Sequence, residues 1–166
     1  MNVLKWLGIA LLALLLLAVL VGQLGLLRGK APADLGLREG KLKAPSKRPN
    51  SVSSQADSWP EHPRLDYARI APLAVRADTL RRGALAVMAQ VKAAVLATPG
   101  AVVVSETGDY LYAHFSTRLM KYTDDVEFWF DATAGVVQVR SASRLGESDL
   151  GANRARVEAL RARLAG

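Results

Sequence analysis

The chain contains no cysteine. Disulfides, zinc–thiolate centres and thiol nucleophiles are thereby excluded, and no redox compartment can be read from it. Histidine is nearly as scarce, with only His62 and His114 in 166 residues. Neither stands at a recognisable spacing from a nucleophile, so His114, in a predicted strand, is the one group left for proton transfer. The chain also lacks a G-x-S-x-G elbow, a phosphate-cradling glycine loop, a dinucleotide fingerprint and a calcium-loop spacing. Asp124, Asp125, Glu127 and Asp131 cluster in sequence. Strand alternation nevertheless sends Glu127 and Asp131 to one face and Asp124 to the other. No catalytic residue, metal site or cofactor is therefore assigned. Triads assemble from distant residues, so an enzyme is not excluded by missing motifs alone.

Charge, in contrast, is plentiful and uneven. The formal net charge is +7. Between Arg28 and Arg48 stand seven basic residues against Asp34 and Glu39, so this one segment holds a local excess of five. It directly follows Trp6 to Leu27, an uncharged run with Gln23 as its only interior polar side chain. Some 22 residues at about 1.5 Å each span a hydrocarbon core of roughly 30 Å. The run is longer than a signal-peptide core. The nearest small-x-small triplet, Ala31-Pro32-Ala33, contains a proline and lies beyond Arg28 and Lys30. We read an uncleaved single-pass anchor whose basic flank meets anionic lipid headgroups rather than nucleic acid. The plainer reading of the flank is a solvated linker extended by its own charge. Two topology rules oppose each other. The basic excess after the run favours a cytoplasmic domain, whereas a short N-terminal tail with Lys5 reads as a signal-anchor, behind which long domains are translocated regardless of charge.

From Gly29 to Pro72 proline, glycine, serine and charge dominate without periodicity, as in a tether. Within it, Arg48 to Ala56 (RPNSVSSQA) carries turn chemistry, and Glu61 to Leu73 has the scattered apolar residues of an arm lying on a domain. A helix is expected from Asp78, with Leu80, Ala84, Val87, Val91 and Val95 at helical spacing and Pro99-Gly100 as its stop. Two hairpins follow. The segments 101–106 and 110–117 flank Thr107-Gly108-Asp109, and 126–131 and 136–141 flank Ala132 to Gly135.

Closing each hairpin directly across its loop gives the sheet two unlike faces. Val103, Leu111, Ala113, Phe115, Val126, Phe128, Phe130, Val137 and Val139 form the buried one. Tyr110, Tyr112, His114, Glu127, Trp129, Asp131, Gln138 and Arg140 form the other, with Glu127 opposite Arg140. This second face is expected to be open, either as a binding surface or as an ordinary solvated sheet face. After the last strand, Ser148 or Asp149 is the expected cap of a closing helix with Leu150, Val157, Leu160 and Leu164 as its apolar stripe. Arg140, Arg144, Ser141, Ser143 and the N-terminus of this helix converge around one turn, as in an anion site. The structural alternative pairs Arg140 and Arg144 with neighbouring acids. The candidate ligand-binding set is therefore Tyr110, Tyr112, His114, Glu127, Trp129, Arg140, Ser143, Arg144, Asp149, Asn153 and Arg154.

Four segments carry a resemblance: RPNSVSSQA from Arg48, IAPL from Ile70, DDVEFWFD from Asp124, and VRSASRLGESDLGANRARVEALR from Val139. Together they resemble the bacterial and plastid family called domain of unknown function 1499, over roughly Pro45 to Leu164. The resemblance implies no activity. It implies attachment to a bacterial inner membrane or export, hence a periplasmic domain. The family commonly has cysteine at the position of Ser51, with a second shortly before, and an aromatic residue at Glu147. This chain has neither cysteine, which argues against cysteine-based function, and a more polar loop. The expected organisation is a membrane anchor (1–28), a basic tether (29–47) and one α+β domain (48–166). The domain would be a four-stranded antiparallel sheet of two hairpins with two helices on one face. The expected function is a non-enzymatic binding or interaction module at the membrane, with a protein or anionic ligand as partner. The alternative is an enzyme or carrier for an anionic small molecule or lipid, clamped by arginines.

Overall fold

Alternation along the hairpins generates one antiparallel sheet whose strands run in the order β1-β6-β5-β4-β3. Here β1 is Ser51–Ser53, β3 Ala101–Glu106, β4 Tyr110–Ser116, β5 Thr123–Asp131 and β6 Val136–Ser143. A further strand, β2 (Leu73–Ala74), pairs with the start of β6 on the edge that β1 occupies farther along. The computed structural model describes residues 3–165. Met1 and Asn2 of the expected anchor and Gly166 of the expected domain lie outside the described residues.

The sheet has six strands, not four. The two extra ones come from the stretches read as turn and arm. At three and two residues, β1 and β2 are too short to show a period of two, and their ladder partners lie 62 to 91 positions away. In the second hairpin Asp131 pairs with Val136 and Glu127 with Arg140, the register that closes directly across the loop. The first hairpin departs from it. Glu106 pairs with Leu111 and Ser105 with Tyr112, one step out, and a bulge at Val104 restores Val103 opposite Ala113. The bulge keeps Leu111, Ala113 and Phe115 on the core side despite the slip.

The expected helix from Asp78 is broken. Gly83, at φ 85°, separates α3 (Ala77–Leu80) from α4 (Ala84–Leu96). Val87, Met88, Val91 and Val95 of α4 and Val157, Leu160 and Leu164 of α5 (Ala152–Ala165) cover the apolar sheet face. Phe128, Val126 and Val139 at the centre of this layer have no exposed surface. Leu150 is not part of the α5 stripe, because it stands in the preceding loop, 96% exposed. A four-residue helix, α2 (Leu65–Ala68), sits in the arm.

The second face is not open. Residues 34–46, inside the stretch expected to be a tether, cross it. The Gly36 N–H donates to Glu127 Oε1 at 2.8 Å, and the Ala44 carbonyl accepts from Arg140 Nε at 3.2 Å. Leu42 of this segment is 1% exposed, and the Ser46 N–H donates to Ser51 Oγ at 2.7 Å. Charged strand residues are buried as a result.

At the N-terminus, α1 (Val3–Gln23) is long and apolar enough to cross a membrane, and its span is not buried by the rest of the protein. Its last turn meets the β4–β5 loop. Gln23 Nε2 donates to the Arg118 and Leu119 carbonyls at 3.2 and 2.7 Å. Gly22 lies so close to that loop that a Cβ there would be 2.8 Å from Met120 Cα.

Candidate functional site

The polar face sorts into two buried clusters, each built around one strand carboxylate. Glu127 has no exposed surface. Its Oε1 accepts from the Tyr110 hydroxyl at 2.9 Å and from the Gly36 N–H, and its Oε2 meets Arg140 Nη1 at 3.4 Å. Two residues back, Asp125 takes a fork from Arg144, with Nε at 2.9 Å to Oδ2 and Nη2 at 2.7 Å to Oδ1. It also accepts from the Tyr112 hydroxyl at 2.5 Å. Burial, then hydrogen bonding to these carboxylates, pushes the Tyr112 phenol up to about 12 and Tyr110 higher still. Burial draws the Arg140 guanidinium downward against the pull of Glu127. Arg144 moves the other way, because its hydrogen bonds to Asp125 favour the charged form. Both expected clamp arginines thus have acid partners.

On the helix side of the sheet, Asp124 accepts from Arg156, whose guanidinium also stacks over the Phe115 ring at 4.9 Å. The sequence placed Asp124 in the carboxylate cluster and on this face, but did not connect it with Arg156. Their pairing joins residues 32 positions apart, which no local spacing reveals.

Ser143, Asp149, Asn153 and Arg154 form a corner that ties β6, α5 and the arm together. Asn153 is fully buried. Its Nδ2 donates to the Asn50 carbonyl, Ser143 Oγ and Asp149 Oδ2, and its Oδ1 accepts from Ser141 and Arg156. Asp149 heads α5, accepting from the Gly151 and Asn153 N–H groups and from the Tyr67 hydroxyl. Burial would raise its carboxyl, but these bonds hold it below the usual range. Arg154 donates to the Tyr67 and Arg69 carbonyls. The arrangement that read as an anion site is therefore saturated by protein groups. Ser51 is buried, and its Oγ accepts from the Ser46 N–H.

Trp129 stands apart at the turn end of the sheet, with Nε1 donating to Asp109 Oδ2 at 3.3 Å. His114 lies at the opposite end. It lines an open groove of about 1080 Å³ together with Arg28, Arg118, Lys121, Arg144, Arg156 and Arg163. No carboxylate lines this groove among the described residues. The His114 Nδ1 is buried without a partner among the described residues. Burial, then the positive charge of Arg144, lowers its pKa from 6.5, with Arg28 adding to the effect and Asp125 opposing it. The imidazole is accordingly neutral near pH 7. Arg144 and Arg156 are taken by Asp125 and Asp124, and Arg163 bonds the Thr98 hydroxyl. Arg28, Arg118 and Lys121 meet no carboxylate among the described residues. The chemistry on offer is anion attraction beside a neutral imidazole, and no three His, Asp or Glu side chains among the described residues are placed to hold a metal.

Arg118 and Lys121 were overlooked in the sequence because they fall between the two hairpins. The signal was present. RLMKY, with cations between apolar residues, has the composition of a segment at a polar–apolar boundary.

The chain belongs to the family described as "Protein of unknown function (DUF1499)", whose model matches residues 41–164. The match begins within the segment that covers the polar face and runs nearly to the end of α5. No curated protein and no solved structure matches the chain.

Proposed function

We propose that this protein is a membrane-anchored, non-enzymatic binding module that takes an anionic ligand in the groove beside the end of α1. One contrast carries the reading. The interior arginines Arg140, Arg144 and Arg156 each face a carboxylate, whereas Arg28, Arg118 and Lys121 at the groove meet none among the described residues. Charge matched in the interior serves the fold, and unmatched charge around a cavity attracts an anion. The proposed location is a bacterial inner membrane with the domain on the periplasmic side. This follows the signal-anchor reading of the N-terminus and the habit of the resembling family.

The test is a thermal-shift titration of the full-length protein in uncharged detergent micelles with inorganic phosphate and sulfate, against chloride at equal ionic strength. A ligand at a hundred times its Kd stabilises by about 2.7 kcal/mol. We expect stabilisation by the polyvalent anions that the Arg118→Gln/Lys121→Gln variant loses. Equal shifts in chloride, or shifts unchanged in the variant, would reject the groove. Topology is decided by a reporter fused after Gly166 that is active only outside the cytoplasm.

One observation favours the second reading, an enzyme or carrier for the same anion. His114 lines the groove and leaves Nδ1 unpartnered among the described residues. If a groove-bound anion is chemically altered, and His114→Gln stops that change without weakening binding, the enzyme reading replaces the first.

A further inference from the structure

The groove lies where the apolar run of α1 ends, and this position narrows what its ligand can be. Gln23 is bonded to the 117–122 loop, Gly22 abuts Met120, and a Cβ on Gly29 would meet Arg144 Cβ at 2.8 Å. The chain leaving α1 is thus seated against the β4–β5 and β6–α5 loops. If α1 crosses a bilayer, these loops stand at its surface.

Four of the domain's exposed apolar side chains lie on these loops, apart from those on α4 and β3. Leu119 is 58% exposed, Tyr122 44%, Leu145 40% and Leu150 96%. Tyr122, Leu145 and Leu150 line one shallow cleft, so they form a patch rather than isolated residues. Leu150 also has a positive φ of 51°, a conformation that a leucine rarely adopts. The patch borders the cation-lined groove, shares Thr117, Thr123 and Ala152 with it, and stands next to the end of an apolar helix, an arrangement suited to the headgroup layer. From this geometry we infer that the anion is the phosphate of an anionic phospholipid in the bilayer that α1 spans. Arg28, Arg118 and Lys121 hold the headgroup while Leu119, Tyr122, Leu145 and Leu150 enter the boundary beneath it. The inference rests on the proposed readings of α1 as a span and of the groove as an anion site.

The absence of native cysteine makes a direct test possible. Leu150→Cys, labelled with an environment-sensitive fluorophore, is studied in the full-length protein in nanodiscs carrying headgroup-proximal spin-labelled lipid. Discs of phosphatidylcholine alone are compared with discs containing phosphatidylglycerol. Leu85→Cys is the control, 75% exposed in the first turn of α4, whose last turn is the one that leads to the groove residues Thr98 to Val102. We expect the label at position 150 to be quenched and blue-shifted in phosphatidylglycerol discs, and the label at position 85 to be neither. Each cation near an anionic surface contributes roughly fivefold, so Arg118→Gln/Lys121→Gln weakens docking about thirtyfold. Quenching at position 150 no greater than at 85 overturns the inference, as does quenching equal in both discs and indifferent to the two substitutions. Stabilisation by inorganic phosphate in phosphatidylcholine discs that matches phosphatidylglycerol assigns the groove to a soluble anion and overturns the lipid assignment. A protein that leaves the discs on an alkaline carbonate wash refutes the span itself. A protein that stays, with its label at position 150 unquenched, refutes only the docking.

Discussion

The two faces of the sheet are buried by opposite means. On one, helices α4 and α5 lay Val87, Val91, Val157 and Leu160 against Phe128, Val126 and Val139, an apolar centre with the Asp124–Arg156 pair and Asn153 at its margin. On the other, an irregular segment is held by hydrogen bonds to Glu127 and Arg140, and Tyr110, Tyr112 and Asp125 complete the buried polar clusters beside them. Apolar burial is non-directional and tolerates repacking, whereas a buried carboxylate must keep particular partners. The same period of two therefore produces one face that needs only volume and another that needs a specified cover.

That difference can be broken at graded cost. The largest loss is expected on the helix side. Phe128→Ala removes a fully buried ring and should cost about 4 kcal/mol in chemical denaturation. Second comes Glu127→Gln, which leaves Arg140 buried opposite a neutral group, at about 3 kcal/mol. The paired change Glu127→Met/Arg140→Met should return to within about 1 kcal/mol of the wild type. If the double variant is as unstable as the single, the pair is not the main interaction there. Third, Leu42→Ala tests the cover itself. A loss of about 2 kcal/mol, with new proteolytic cleavage between residues 34 and 46, would show that the segment is held as tightly as a core element. The smallest effect belongs to the corner. Asp149→Asn should cost about 1 kcal/mol at neutral pH through the loss of helix-end capping.

The Asp149 change also carries a pH signature. The folded carboxyl titrates below its ordinary 3.8, so its contribution is complete above that value and disappears as pH falls through the lowered one. The wild type should lose its advantage over Asp149→Asn on acidification below about pH 4. His114 shares the sign over a different range. Its folded pKa lies below 6.5, so the unfolded chain takes up the proton first and stability declines as pH drops beneath 6.5. His114→Gln should flatten that decline in a series of melting curves.

Much of the sheet was legible because its signals are local. Val126, Phe128 and Phe130 alternate, Gly135 closes the turn, and Glu127 falls opposite Arg140 by counting outward from the loop. The strands β1 and β2 were not legible, since each is defined by a distant partner rather than a period of its own. Face membership could be read for Tyr110, Tyr112 and Arg140, but not what covers them. Residues 34–46 have the composition of a linker and are ordered by a few hydrogen bonds made across the chain. Asp149 could be foreseen as a helix cap, and the alternative pairing of Arg140 and Arg144 with acids is what the structure holds. The groove as a whole could not be foreseen, because Arg28, the 114–121 stretch and Arg144, Arg156 and Arg163 come from three separate segments that meet only where α1 ends.

The crossing of the polar face by residues 34–46 has a mechanical consequence. A free linker of residues 29–47 would give the domain a root-mean-square reach of about 24 Å from the end of the anchor. Laid along the sheet and fastened at Gly36, Ala44 and Ser46, the same chain has almost no slack. The domain is therefore held close to the end of α1 and turns with it. With α1 spanning a bilayer as proposed, a ligand of the domain would have to arrive by diffusion in the plane of that bilayer or come down to its surface. Peeling this strap away would lengthen the reach and strip the cover from Glu127 and Arg140 in the same motion.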